Sequence, residues 1–171
     1  MKSWLAILCL GVLSACSGMV PVPVSEQERN FEQVVAVEGM DKDAIYVGLR
    51  SWIAENFRSA KSVIEYENQD DGILIGNGVI PYPCKGISCL AKSEWTHPFT
   101  MKIEVRDQRF RVTYSNINLA WPASYNNGIA SPARNAPIHN KSDMDGAKAE
   151  LTQLTESMRS SLSSGAKSND W

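Results

Sequence analysis

His97 and His139 are the side chains best suited to proton transfer or metal binding near neutral pH, and the chain has no other histidine. His97 stands before Pro98 at an expected strand start and His139 falls in a loop, so both are expected to be solvated or hydrogen-bonded rather than reactive. No serine occupies a Gly-x-Ser-x-Gly elbow. Gly76-Asn77-Gly78 lies inside a strand pattern instead of opening a helix, so it reads as a bulge or a close backbone approach and not as a phosphate cradle. Asp70-Asp71 and the pair Asp143 and Asp145 lack the further oxygen ligands of a calcium loop. They read as a turn and a helix cap. No catalytic set, cofactor or metal is expected.

Aromatic residues carry the better candidate. Trp121-Pro122-Ala123-Ser124-Tyr125-Asn126-Asn127-Gly128 combines rings that stack with amides that hydrogen-bond, a chemistry suited to carbohydrate or peptide. Tyr82, Trp95 and Trp121 could lie near one another at the sheet edge. Trp95, Trp121, Tyr125 and Asn126 are the candidate binding residues, and the alternative is that the rings only pin a loop against the core. From Trp121 to Lys141 no periodicity is visible, and a loop of about 20 residues in a compact domain is usually functional or disordered.

The elements that position these residues follow from hydrophobic spacing. Phe31, Gln33, Val35 and Val37 share one face of a first strand. Asp41 is an N-cap candidate for a helix reaching Phe57, with Ile45, Leu49, Trp52, Ile53 and Phe57 as its buried stripe. Strands are expected over Val63–Glu67 and Ile73–Ile80, joined by a turn at Asn68–Gly72. Phe99, Met101, Ile103 and Val105, then Phe110, Val112 and Tyr114, alternate with polar residues on either side of a turn at Asp107-Gln108. That period of two predicts an antiparallel hairpin with one wet face. Lys102, Arg106, Arg109 and Arg111 surround Glu104 there, as a solvated surface or a docking site for an anionic partner. Ser142 is the expected cap, with Asp145, of a last helix whose stripe is Met144, Ala147, Leu151, Leu154, Met158 and Leu162.

The beginning of the chain reads as an address. Lys2 precedes an apolar run from Trp4 to Ala15, too short to span a membrane but the right length for a signal peptide. It ends Leu13-Ser14-Ala15-Cys16, which resembles the lipobox of bacterial lipoproteins. The resemblance implies residues 1–15 removed, a diacylglyceryl thioether and an acylated amino group on Cys16, and stable attachment by several chains. Ser17 in place of Asp implies sorting to the outer membrane, on its periplasmic face. Residues 16–30 then form a flexible tether; from Ser17 its 14 residues reach at most about 50 Å. With Cys9 removed and Cys16 lipidated, Cys84 and Cys89 remain, with four residues between them, in an oxidising compartment. A disulfide is the plain reading. A redox pair lacks the Cys-x-x-Cys spacing, and zinc lacks two ligands.

The order strand, helix, four strands, helix predicts a two-layer α+β domain over residues 31–162, an antiparallel five-stranded sheet with two helices, followed by a disordered tail over 163–171. Gly39-Met40-Asp41-Lys42-Asp43, Trp52-Ile53-Ala54-Glu55-Asn56-Phe57, Ser59-Ala60-Lys61-Ser62-Val63-Ile64, Ile75-Gly76-Asn77-Gly78 and Met101-Lys102-Ile103-Glu104-Val105-Arg106-Asp107 extend the likeness. On these the chain resembles bacterial lipoproteins carrying a domain of unknown function with a TBP-like fold. That resemblance implies the fold and no activity. A net charge of −2 and a pI near 5.7 oppose nucleic-acid binding. The expected function is a non-enzymatic binding or assembly module of the cell envelope, anchored to its membrane and meeting an envelope protein or glycan. The alternative is an enzyme on an envelope polymer with a site of scattered carboxylates.

Overall fold

The computed structural model describes residues 22–57, 64–126 and 128–165. The expected signal peptide, Cys16, the first part of the tether and residues 166–171 lie outside the described residues. Five strands form the main sheet: β1 Phe31–Ala36, β2 Ile64–Asn68, β3 Ile73–Pro81, β4 Thr96–Arg106 and β5 Arg109–Ser115. All neighbours are antiparallel, in the order β1-β5-β4-β3-β2. Two long helices lie on one face, α1 over Lys42–Asn56 and α3 over Lys141–Gly165. A short α2, Ser88–Lys92, sits between β3 and β4.

The alternation read from the sequence is the alternation of burial. Phe99, Met101, Ile103 and Val105 on β4, and Phe110, Val112 and Tyr114 on β5, point at the helices. Burial of each such side chain contributes about 1.5–3 kcal/mol, so the hairpin is the centre of the core. Asp41 caps α1 by accepting from the Ala44 amide at 2.8 Å. Tyr46 joins the stripe as a buried residue, while Phe57 ends the helix half-buried and packs edge-on against Trp52 and Phe99. The α1–α3 contact is fixed by Trp52, whose indole N–H donates to Ser157 Oγ at 3.2 Å. On α3, Thr155 is buried where the pattern shows a polar residue; its hydroxyl donates to the Leu151 carbonyl at 3.0 Å and therefore accepts from the Tyr114 hydroxyl at 2.9 Å.

Gly78 shows why β3 carries glycines. A Cβ there would run into the Phe99 ring, so the strand approaches β4's side chains closely. The register of β3 against β4 is unbroken; the bulge falls across from Gly76, between Ile64 and Tyr66 of β2.

Five expectations need correction. Residues 121–141 do not form an aperiodic loop: β6 Asn118–Trp121 pairs with β9 Arg134–Pro137, and between them β7 Ser124–Asn126 and β8 Ile129–Ser131 make a separate ribbon. These strands are too short, and too rich in Asn, Ala and Pro, to show alternation. The sheet therefore has seven strands, because β6 also pairs with β4 at Thr96 and Ala120. The α3 cap is Asn140 rather than Ser142: Asn140 Oδ1 accepts the Asp143 amide at 2.8 Å while its Nδ2 donates to Asp143 Oδ2 at 2.6 Å. Asp145 instead pairs with Lys141 at 2.9 Å. The helix continues to Gly165, three residues beyond the expected Leu162. Lastly, the described part of the expected tether is held to the fold: the Val24 amide donates to His139 O at 3.0 Å, Lys141 donates to Val22 O at 2.9 Å, and a 3₁₀ turn follows at Glu26–Arg29. Val24 is buried, which gives the segment a reason to stay.

Candidate functional site

Strand alternation places three aromatic residues where the sheet runs out past the helices. The β3–β4 ladder continues one rung beyond its strands, with the Tyr82 amide donating to Trp95 O at 3.0 Å. Trp121 ends β6, next to Ala120, which pairs with Thr96. The rings meet as a ladder. Trp95 and Trp121 stack at 5.0 Å, and Tyr82 meets Trp95 edge-on at 5.5 Å. All three are half-buried.

Charges are set around the rings. Lys92 Nζ lies 4.8 Å from the Tyr82 ring centre and 4.9 Å from that of Trp95, and it donates to the Tyr82 hydroxyl at 3.3 Å. Arg134, one strand over, holds its guanidinium 5.4 Å above Trp121. A cation over an exposed ring face contributes about 0.5–1 kcal/mol, enough to fix a side chain though not a fold. Tyr82 donates to Asp143 Oδ1 at 2.7 Å. Partial burial, then that bond to Asp143, pushes the Tyr82 hydroxyl up to about 12, so it stays a donor.

His97 lies under this cluster, fully buried, its ring 5.3 Å from that of Tyr82. Its Nδ1 is 2.9 Å from the Asn118 carbonyl, which makes Nδ1 the protonated nitrogen, and Nε2 has no partner. Burial holds its pKa below the ordinary value, against the Asn118 bond and the more distant Asp143 and Glu150. His97 is thus a neutral strut.

A family of domains of unknown function with a TBP-like fold, DUF4468, matches residues 31–120. The chain belongs to this family. A TBP-like protein from Parabacteroides distasonis ATCC 8503 is similar in structure, with a TM-score of 0.57 at 12% identity, over 78% of this chain and 92% of that one. A DUF4468 family protein from Bacteroides ovatus ATCC 8483 gives a TM-score of 0.52 at 12% identity, over 82% and 88%. At such identity the likeness is of fold alone. No curated protein matches the chain. Within this DUF4468 domain the family match takes in Tyr82 and Trp95 and stops just short of Trp121.

Of the four candidate binding residues, the DUF4468 fold brings Trp95 and Trp121 together and leaves Tyr125 apart. Tyr125 is exposed on the β7–β8 ribbon, and the Asn126 backbone pairs with Ile129 there while its side chain lies outside the described part. Lys92, Arg134 and Asp143 complete the cluster and were not visible in the sequence, since each comes from a different segment. Cys84 and Cys89 are disulfide-bonded and brace α2 beside it. Cys16 lies outside the described residues.

The other candidates resolve into structure. Asp71 and Asn68 close the β2–β3 turn through the Asp71 amide at 3.1 Å and the Asn68 amide at 2.7 Å. On the wet face of the hairpin, Arg111 pairs with Glu104 at 2.7 Å and Glu32 at 3.8 Å, and Lys102 with Glu104 at 3.2 Å. Lys102 and Arg111 are thus matched by carboxylates in a solvated ladder, while Arg106 and Arg109, both exposed, face each other across the last rung of the hairpin. A hollow of about 360 Å³ between α1 and β2 is lined by Tyr46, Val47, Arg50, Ser51, Glu67 and Gln69. Its centre is taken by the Arg50–Glu67 pair at 2.6 Å, which holds the Glu67 carboxyl below its usual range.

Proposed function

We propose that this DUF4468 protein is a lipid-anchored binding module of the cell envelope, held through Cys16 at the periplasmic face of the outer membrane, and not an enzyme. The observation that carries the reading is the half-exposed stack of Tyr82, Trp95 and Trp121 with Lys92 and Arg134 at its rim. Aromatic rings with one wet edge, set among cations beside the disulfide-braced α2, recognise a surface rather than transform a substrate. The signal-like run ending at Cys16 supports the compartment, and so does the disulfide, which persists where thiols are not kept reduced.

The enzyme alternative needs a carboxylic acid kept protonated. Among the described residues, every carboxylate with a displaced pKa moves down. Glu28 goes to about 2 through the Ser25 amide, Glu67 falls through Arg50, and Glu104 falls because Arg111 and Lys102 outweigh its partial burial. Such groups remain ionised and suit ion pairing.

The test is the state of residue 16. The purified native protein is expected to begin at Cys16 and carry the mass of a thioether-linked diacylglycerol and an amide-linked chain. Cys16→Ala is expected to leave an unprocessed or soluble product. An unmodified Cys16 in native protein, or the native protein found free in the cytosol, would overturn the anchor.

A further inference from the structure

We infer that the end of the sheet carrying α2, the aromatic stack and the β7–β8 ribbon docks on the anionic lipid surface to which the chain is tethered. The inference rests on the anchor proposed above, and it names which side of the domain faces the bilayer.

The first argument is the length of the leash. Five residues, Ser17 to Pro21, lie between Cys16 and Val22, so covalent geometry lets the two be at most about 20 Å apart. Val22 is fixed beside Lys141 and Pro23 beside Asn140. Asn140 bonds Asp143, and Asp143 bonds Tyr82 in the stack. The leash therefore joins the domain at the same end as the aromatic residues, and its short reach keeps that end toward the membrane.

The second argument is what this end exposes. The four most exposed large apolar side chains of the described residues are Ile87 and Leu90, 86% and 83% exposed on and beside α2, and Tyr125 and Ile129, 76% and 70% exposed on the ribbon. Both segments leave the sheet at one rung, since Thr96 after α2 pairs with Ala120 before the ribbon. Charge agrees. Residues 83–95 and 118–137 hold Lys85, Lys92 and Arg134 against Glu94, and Asp143 adds a second acid at the stack, so this end carries one net positive charge in a chain whose net charge is −2. Apolar tips, ring edges and cations at one end of a sheet are the makeup of an interfacial surface on anionic lipid. Stacked rings present edges; Trp95 covers one face of Trp121 and Arg134 lies over the ring, which leaves little bare face for a sugar.

The experiment uses the full native protein reconstituted in vesicles of phosphatidylethanolamine and phosphatidylglycerol with brominated acyl chains. Tryptophan quenching is read in wild type, Trp95→Phe and Trp121→Phe, and the mass at residue 16 is read on the same preparation. Expected is quenching that belongs to Trp95 and Trp121. It should fall at least about five-fold in a Leu90→Asp, Ile129→Asp double variant and weaken similarly in Lys92→Glu, Arg134→Glu. Leu90, Ile129 and Arg134 are exposed and Lys92 is half-buried, and an unchanged far-ultraviolet dichroism spectrum and urea midpoint confirm folding. A lipidated protein on vesicles with both tryptophans unquenched would overturn the docking and leave the anchor. Quenching without modification of Cys16 would sink the anchor and support the docking. Protection of the tryptophans by soluble glycan fragments, with no effect of the bilayer, would overturn the docking in favour of a glycan site.

Discussion

Tyr82, just past β3, donates its hydroxyl to Asp143 in the first turn of α3 at 2.7 Å. This one bond joins the aromatic stack to the helix and to the segment by which the chain joins the fold, because Asp143 is also held by the Asn140 cap. Tyr82→Phe keeps the ring and removes the bond. The expected cost is about 1 kcal/mol, below the usual range for a bond to a carboxylate, because water can reach a half-exposed site. A lower urea midpoint at unchanged slope would show it. No change in midpoint would mean that Asn140 alone orders the helix start.

Gly78 sits under the Phe99 ring with no room for a methyl group. Gly78→Ala is expected to destabilise the domain by about 1–3 kcal/mol, the usual cost of overpacking. Phe99→Leu in the same chain opens the space, so the double variant should lose less than the sum of the two single changes. Strict additivity in thermal unfolding would refute the close approach.

The main fold was legible wherever burial alternates over a long run. Phe99 to Val105 and Phe110 to Tyr114 announce a hairpin, and Met144 to Leu162 a helix, because one face of each meets a core. Asp41 was readable as a cap because it follows directly on the Gly39 break that ends the first strand, which sets the helix start ahead of Asp43. At the last helix Asn140 and Ser142 compete, and the pairing of Val22–Val24 with residues 139–141 decides for Asn140, a long-range fact no local pattern carries. Thr155 hides in the core since Tyr114 and Leu151 satisfy its hydroxyl. Of the site, the meeting of Tyr82, Trp95 and Trp121 was foreseeable from aromatic residues at element ends. The cations over them were not, since α2 is held by a disulfide and β9 by its partner strand rather than by propensity.

The Cys84–Cys89 bridge closes a loop of a few residues, which in the chain-entropy account contributes about 2 kcal/mol. Native protein is expected to show no reactive thiol at either position without reductant. Cys84→Ser with Cys89→Ser should raise amide exchange in α2 while leaving β4 and β5 protected, since the insert lies outside the core. Alkylation of unreduced protein at Cys84 would contradict the bridge.

His97 gives the protein an acid limit of its own. Burial lowers its pKa from the ordinary 6.5, so the unfolded chain takes up a proton there before the folded protein does. The stability that depends on the neutral ring is complete above that value and drains away as pH falls from 6.5 toward the folded pKa. The carboxylates Glu67 and Glu104, lowered from 4.5, contribute above that value and lose their part only at lower pH, so the two windows separate. The urea midpoint of wild type should therefore decline as pH falls below about 6.5, before the carboxylates begin to take up protons. His97→Leu, less stable at neutral pH for want of the Asn118 bond, should show no decline in that interval. A wild-type midpoint that stays level across that interval would mean that protonated His97 finds a partner in the fold, and the bare Nε2 facing the core argues that it has none.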